Sequence, residues 1–109
     1  MSRFRSGEIV WVDLSPRAGH EQRGRRPVIV VSSDAYNLVS SLTLVCPITS
    51  NRNEWPWKVP VRAGSIEGMA LADQLSSVDL DARGGKPSGE RLDDDTLGHI
   101  LGKAASLLL

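Results

Sequence analysis

Three short runs rich in β-branched and aromatic residues fall within the first 50 positions: 8–14 (EIVWVDL), 27–33 (PVIVVSS) and 42–48 (LTLVCPI). Such residues suit a pleated, half-buried surface, and runs this short between polar breaks read as strands. The second run is almost continuously apolar, which places it inside a sheet with both faces covered. Pro47 stands near the end of the third, where a missing N–H costs least. Two further segments, 58–62 (KVPVR) and 68–71 (GMAL), can pair across a turn containing Gly64, and 75–80 (LSSVDL) alternates weakly. The segment 83–89 (RGGKPSG) reads as a flexible connection, and Tyr36, Asn37 and Leu38 as a short helical turn. One segment carries a full helix signature. Asp93 is its N-cap, Asp94 and Asp95 sit at the positive end of its dipole, and Leu92 is placed to staple against Leu97. Its apolar stripe is Leu97, Ile100, Leu101, Ala104 and Leu108. The expected class is mainly β with helices (α+β): a small barrel or strongly curved sheet closed by a C-terminal amphipathic helix.

The chain has 109 residues, so a single domain spanning 1–109 is expected. No apolar run approaches the roughly 20 residues of a membrane span, and the first eleven residues lack the apolar core of a signal peptide. No membrane association and a cytoplasmic location follow as the expectation. The single cysteine, Cys46, closes no internal disulfide, and with two distant histidines it makes no structural zinc site. Net charge is zero, but unevenly spread. Residues 1–62 hold nine basic against five acidic side chains, a surplus of four, and the remainder carries the opposite surplus. A bipolar molecule with one phosphate-attracting face is expected.

The segment 15–26 (SPRAGHEQRGRR) has no apolar stripe and reads as a long loop, which in small domains is usually functional or mobile. It gathers His20, Glu21, Arg23, Arg25 and Arg26 just before a buried strand. A guanidinium at the mouth of such a strand can stabilise charge developing on a phosphorus centre; a solvated charged loop is the competing reading. Thr49 and Ser50 put two hydroxyls where the third strand ends, suited to a phosphate oxygen or simply to a turn. Asp73 and Gln74 follow an apolar strand and suit base edges or a strand end. Trp11 is expected in the core, whereas Trp55 and Trp57 flank Pro56 in a loop and are candidates for base stacking or for packing onto their own domain. Glycine-loop nucleotide motifs, G-x-S-x-G, H-E-x-x-H and a Mg²⁺-type acidic cluster are all missing from the sequence. Cys46, inside an apolar strand, reads as a core residue rather than a nucleophile.

The succession GEIVWVDL, GHEQRGRRPVIVVS, VCPITS, ALADQ and ARGGK, followed by the amphipathic helix, resembles the MazF/PemK/Kid group of toxin endoribonucleases from about residue 7 to 107. The resemblance implies an SH3-like barrel, a homodimer, and sequence-specific cleavage of single-stranded mRNA without metal or cofactor. It also implies a MazE-like antitoxin whose flexible C-terminal segment covers the RNA groove. Carried over by position, catalytic roles fall on Arg26, Thr49, Glu21 and His20. RNA contacts are expected from Arg23, Arg25, Ser50, Asn51, Arg52, Trp55, Trp57, Asp73, Gln74 and Arg83. The Kid-like branch has an arginine where this chain has Leu71, and other members have Thr-Thr where it has Thr49-Ser50; both departures bear on the RNA sequence recognised. A non-catalytic gyrase poison of the CcdB type, which shares the fold, is the alternative function.

Overall fold

The period-two pattern of the three apolar runs is resolved by giving them two cores, one on each side of a sheet. The computed structural model of the chain describes residues 2–14 and 24–109. Its elements are β1 (Glu8–Val12), β2 (Arg26–Val30), α1 (Asp34–Val39), β3 (Thr43–Thr49), β4 (Lys58–Ala63), β5 (Ile66–Leu71), β6 (Ser76–Val78), β7 (Lys86–Arg91) and α2 (Asp94–Ala105). The strands form one antiparallel sheet ordered β4-β5-β3-β2-β1-β7, with β6 paired to β3. Successive residues of a strand face opposite ways. Accordingly Ile9, Ile29 and Cys46 join one cluster with Leu97 and Ile100 of α2, while Val10, Val28, Val30 and Val45 join a second with Phe4, Val78 and Leu80. The expectation that the second run is covered on both sides holds.

β3 is the junction of the sheet. It pairs with β2 through Val28–Pro47, Ile29–Cys46 and Val30–Val45, with β6 at its beginning, and with β5 at Ile48–Ala70 and Thr49–Met69. The hairpin expected around Gly64 is present: β4 and β5 pair from Lys58–Leu71 to Ala63–Ile66, and Gly64 has a φ of 62°. The close approach of β3 to β5 depends on Gly68, because a Cβ there would lie 2.7 Å from the Thr49 carbonyl oxygen and 2.8 Å from Ile48 Cγ2.

Three expectations change. Lys86–Arg91, within and beyond the segment read as a flexible connection, is strand β7 on the free edge of β1. Its residues are exposed or half-buried, so they carry no apolar alternation, and Pro87 and Gly89 mark a protected edge rather than a linker. The stripe on α2 is shorter than its sequence suggests: Leu97 and Ile100 are buried, Leu101 is 42% exposed, and Leu108 lies beyond the helix end at Ala105. Nor do the two halves of the chain map onto two charged faces. β7 lies beside β1, and Arg3–Asp81 (3.0 Å) and Arg52–Glu67 (3.7 Å) pair bases of the first half with acids of the second. Among the described residues no helix is long and apolar enough to cross a membrane.

Asp93 caps α2 as expected, accepting from the Thr96 backbone N–H at 2.8 Å, and hydrogen bonds from the Thr96 side chain and then its backbone hold the carboxyl below the ordinary value. Asp34 is lowered similarly by the Ser6 backbone N–H (2.7 Å), with Arg5 nearby. Because the folded-state values lie below those of the unfolded chain, this stabilisation is complete above about pH 4 and is lost as pH falls through the folded-state values. In Asp93→Asn, which still caps but does not titrate, acid unfolding followed by circular dichroism is expected to be less steep than in the parent. An identical acid limb in both proteins would remove Asp93 from the pH dependence.

Candidate active site

Positioning begins with the register of β2 and β3. The pairing of β2 with β3 runs from Val30–Val45 to Val28–Pro47 and leaves Arg26 and Thr49 each two residues beyond its last pair. Arg26 pairs with Val12 of β1, which fixes its backbone on that side, and its side chain is exposed. Arg26 lines a depression of 240 Å³ together with Asp13, Leu14, Gly24, Val28, Pro47 and Ile48. Beyond Ile48, Thr49 lines a second depression of 390 Å³ shared with Asn51, Asn53, Trp55, Lys58, Leu71 and Asp73. Two open hollows, one lined by Arg26 and the other by Thr49, thus meet consecutive residues of β3, Ile48 and Thr49, which suits an extended anionic chain.

The Thr49 Oγ1 accepts the Asn51 backbone N–H at 3.1 Å, which leaves the hydroxyl proton to be donated elsewhere. Asn51 Oδ1 in turn accepts the Asn53 N–H at 2.8 Å, closing a tight turn after the strand. Lys58, which the sequence reading did not single out, reaches into this turn with Nζ 2.9 Å from the Asn51 carbonyl oxygen, 3.3 Å from Asn51 Oδ1 and 2.7 Å from the Asn53 carbonyl oxygen. The only sequence signal for it was a lone cation at the first position of a strand.

Around the second hollow, Trp55 donates from Nε1 to Asp73 Oδ2 at 2.9 Å and is 48% exposed, with its ring centroid 5.5 Å from that of Trp57. The other oxygen, Asp73 Oδ1, is buried and receives no hydrogen bond from the described residues. Trp57 divides differently from Trp55: it packs against the core and donates to Ser106 Oγ at 3.1 Å, which gives it to the fold. Trp11 is half-buried at the core margin. Ser50 and Gln74 are exposed, and Arg52 reaches Glu67 and the Met69 sulfur across β5. Arg25 donates to the Gly84 carbonyl oxygen at 2.7 Å and to that of Trp11 at 3.3 Å. Arg83 lies 3.5 Å from the Asp13 carbonyl oxygen. These two arginines therefore tie the turn after residue 81 to the exit of β1, on the rim of the Arg26 hollow. His20, Glu21 and Arg23 lie outside the described residues. Leu71 is half-buried, pairs with Lys58 and lines the second hollow. Cys46 is fully buried, and burial pushes its thiol up to about 12, as fits a core residue and not a nucleophile.

Residues 5–108 match the family described as PemK-like, MazF-like toxin of type II toxin–antitoxin systems. Over 114 aligned positions the chain is 37% identical to the endoribonuclease PemK of Escherichia coli, covering 98% of this chain and 84% of that protein. The crystal structure of MazF from Deinococcus radiodurans superposes with a TM-score of 0.81 at 39% identity, covering 95% of this chain and 94% of that one. A MazE–MazF crystal structure from the same organism superposes at 0.83 with 36% identity, over 95% and 94% of the two chains. The mainly β architecture with a C-terminal helix, expected from the sequence, is the one these structures share. Of the two functions considered, the toxin endoribonuclease is the one whose family is matched, and the chain belongs to the PemK-like, MazF-like toxins of type II toxin–antitoxin systems.

Proposed function

We propose that this chain cleaves single-stranded mRNA at short sequences, using the RNA's own 2′-OH as nucleophile and leaving 2′,3′-cyclic phosphate and 5′-OH ends. The observation that supports this reading is that Arg26 and Thr49 both stand just beyond the last pair of β2 with β3, each lining an open hollow. In-line attack by a 2′-OH needs no metal, cofactor or protein nucleophile. It needs stabilisation of the phosphorane charge, proton transfer and an aligned strand. A 10⁶-fold acceleration is about 8 kcal/mol of barrier. One preorganised charged donor supplies about 3–4 kcal/mol, and acid–base help of 10²–10⁴-fold about 3–5.5. In this reading Arg26 takes the phosphorane charge and Thr49 donates to a non-bridging oxygen. Proton transfer falls to Glu21 or His20, since an arginine is a poor acid or base near pH 7.

RNA would lie along the two hollows, with Arg23, Arg25, Arg83 and Arg52 beside the backbone and Ser50, Asn51, Trp55, Asp73 and Gln74 beside the bases. Trp57, given to the core, is the weakest member of the proposed RNA set. The D. radiodurans MazE–MazF structure supports a MazE-like antitoxin as partner. Homodimerisation is also proposed; it would bury apolar side chains that remain exposed on the monomer, such as Leu38 and Val39 of α1.

The experiment is to incubate the protein with a long, weakly structured RNA in excess EDTA and to map the new ends and their phosphates. Cleavage with cyclic phosphate and 5′-OH ends supports the mechanism; cleavage that stops in EDTA, or leaves 5′-phosphates, overturns it. In the same assay Thr49→Ala, which loses one hydrogen bond to a charged group, is expected to slow the chemical step by about 10–100-fold while RNA still binds. Loss of binding in step with rate would instead make Thr49 a strand-positioning residue.

A further inference from the structure

We infer that Lys58 is a positioning residue for the reaction, acting through Asn51 on the Thr49 hydroxyl. The inference rests on the reading of Thr49 given above. Its ground is a continuous chain of donors and acceptors. Lys58 Nζ has three donors, and three acceptors lie within 3.3 Å of it: the carbonyl oxygens of Asn51 and Asn53 and the Asn51 side-chain oxygen. All of them belong to the turn that follows β3. That turn presents the Asn51 N–H to Thr49 Oγ1 at 3.1 Å. The N–H donated to Thr49 Oγ1 restrains where that oxygen sits and leaves its proton to be donated to a ligand. The ammonium is thus an internal cation that draws two backbone carbonyls and an amide oxygen together, and the folded turn fixes a hydroxyl that Lys58 does not touch.

Lys58 lines the same hollow, which raises the alternative of a direct phosphate contact. The geometry disfavours it. A phosphate-binding lysine keeps donors for the ligand, whereas this one spends all three within its own chain, and it is only half-exposed at the first position of β4. Arginine is a poor substitute here, since a planar fork cannot converge on three acceptors arranged around one nitrogen.

The test is a double-mutant cycle between Lys58→Met and Thr49→Val in the RNA cleavage assay, with kcat and KM measured separately. Lys58→Met is expected to lower kcat by about tenfold, which converts to about 1.4 kcal/mol, with KM little changed. The double variant is expected to be no slower than Thr49→Val alone, because the lysine has nothing left to position. Multiplying effects, or a raised KM with the salt dependence of binding shallower by about 0.7, would show direct phosphate contact and overturn the inference. An unchanged kcat would also overturn it. If Lys58→Met unfolds, Lys58→Gln takes its place in the cycle. Hydrogen exchange at the Asn51 amide provides a second readout that requires no RNA. Faster exchange in the Lys58 variant supports the link even if the parent protein fails to cleave, in which case the proposed mechanism falls by itself; unchanged exchange breaks the link.

Discussion

Replacing Arg26 with alanine is expected to remove RNA cleavage, by at least about 10²-fold in kcat, while leaving the protein folded. In the proposed mechanism the loss follows because the Arg26 guanidinium, lining its hollow, meets charge that exists fully only in the transition state. The fold survives because the backbone of residue 26 keeps its pairing with Val12 and the side chain is exposed, and surface substitutions of this kind usually change stability by less than about 0.5 kcal/mol. Arg26→Lys keeps the charge but not the two-pronged donor geometry, so it is expected to recover only part of the rate. Single-turnover cleavage alongside thermal unfolding checks both halves. Near-parental cleavage by the alanine variant would take Arg26 out of the mechanism; a large fall in the unfolding midpoint would make it a structural residue.

The largest effect on stability is expected at Gly68. An added Cβ meets the Thr49 carbonyl oxygen at 2.7 Å and Ile48 Cγ2 at 2.8 Å, and the first of these is backbone that cannot rotate away. Gly68→Ala must therefore push β5 from β3, at a cost of about 1–3 kcal/mol. For a chain of this size each kcal/mol lowers the midpoint by about 4–8 °C. β3, the strand from which β5 is pushed, ends at Thr49, so cleavage by the protein that remains folded is expected to fall as well. Gly64→Ala is the control: its φ of 62° makes the substitution strained, but the Cβ meets only the flexible Glu90 carboxylate and lies far along the hairpin from Thr49. A Gly68 variant with unchanged midpoint and unchanged rate would show that the β3–β5 approach can relax freely.

How much of this could be read from the sequence depends on whether a residue's role is local. Strands β1 to β5 were visible because their apolar residues feed one or other core at period two, and the Asp93 cap because capping is settled within four residues. β7 was not visible, since an edge strand with exposed faces needs no apolar pattern and is defined only by the partner it pairs with. The α2 stripe overshot because periodicity shows which residues line up, not where the sheet beneath them ends. At the site, Arg26 and Thr49 lie 23 positions apart and no spacing rule joins them; resemblance to a family singled them out, and the pairing of β2 with β3 brings the two strand ends together. Lys58 escaped both routes. Its function depends on two carbonyl oxygens that any sequence would supply and on a turn that only the folded chain defines.

The pairing of Val12 with Arg26 separates two properties that are often coupled in small enzymes. It joins β1 to β2 at the two ends of the intervening segment, and the entropy of closing a chain grows only with the logarithm of its length. Doubling such a segment costs about 0.6 kcal/mol. The segment between the two strands, which carries His20, Glu21 and Arg23, can therefore be lengthened at little cost in chain-closure entropy. Divergence in the RNA sequence recognised is open to a lineage carrying this scaffold without first evolving a more stable core.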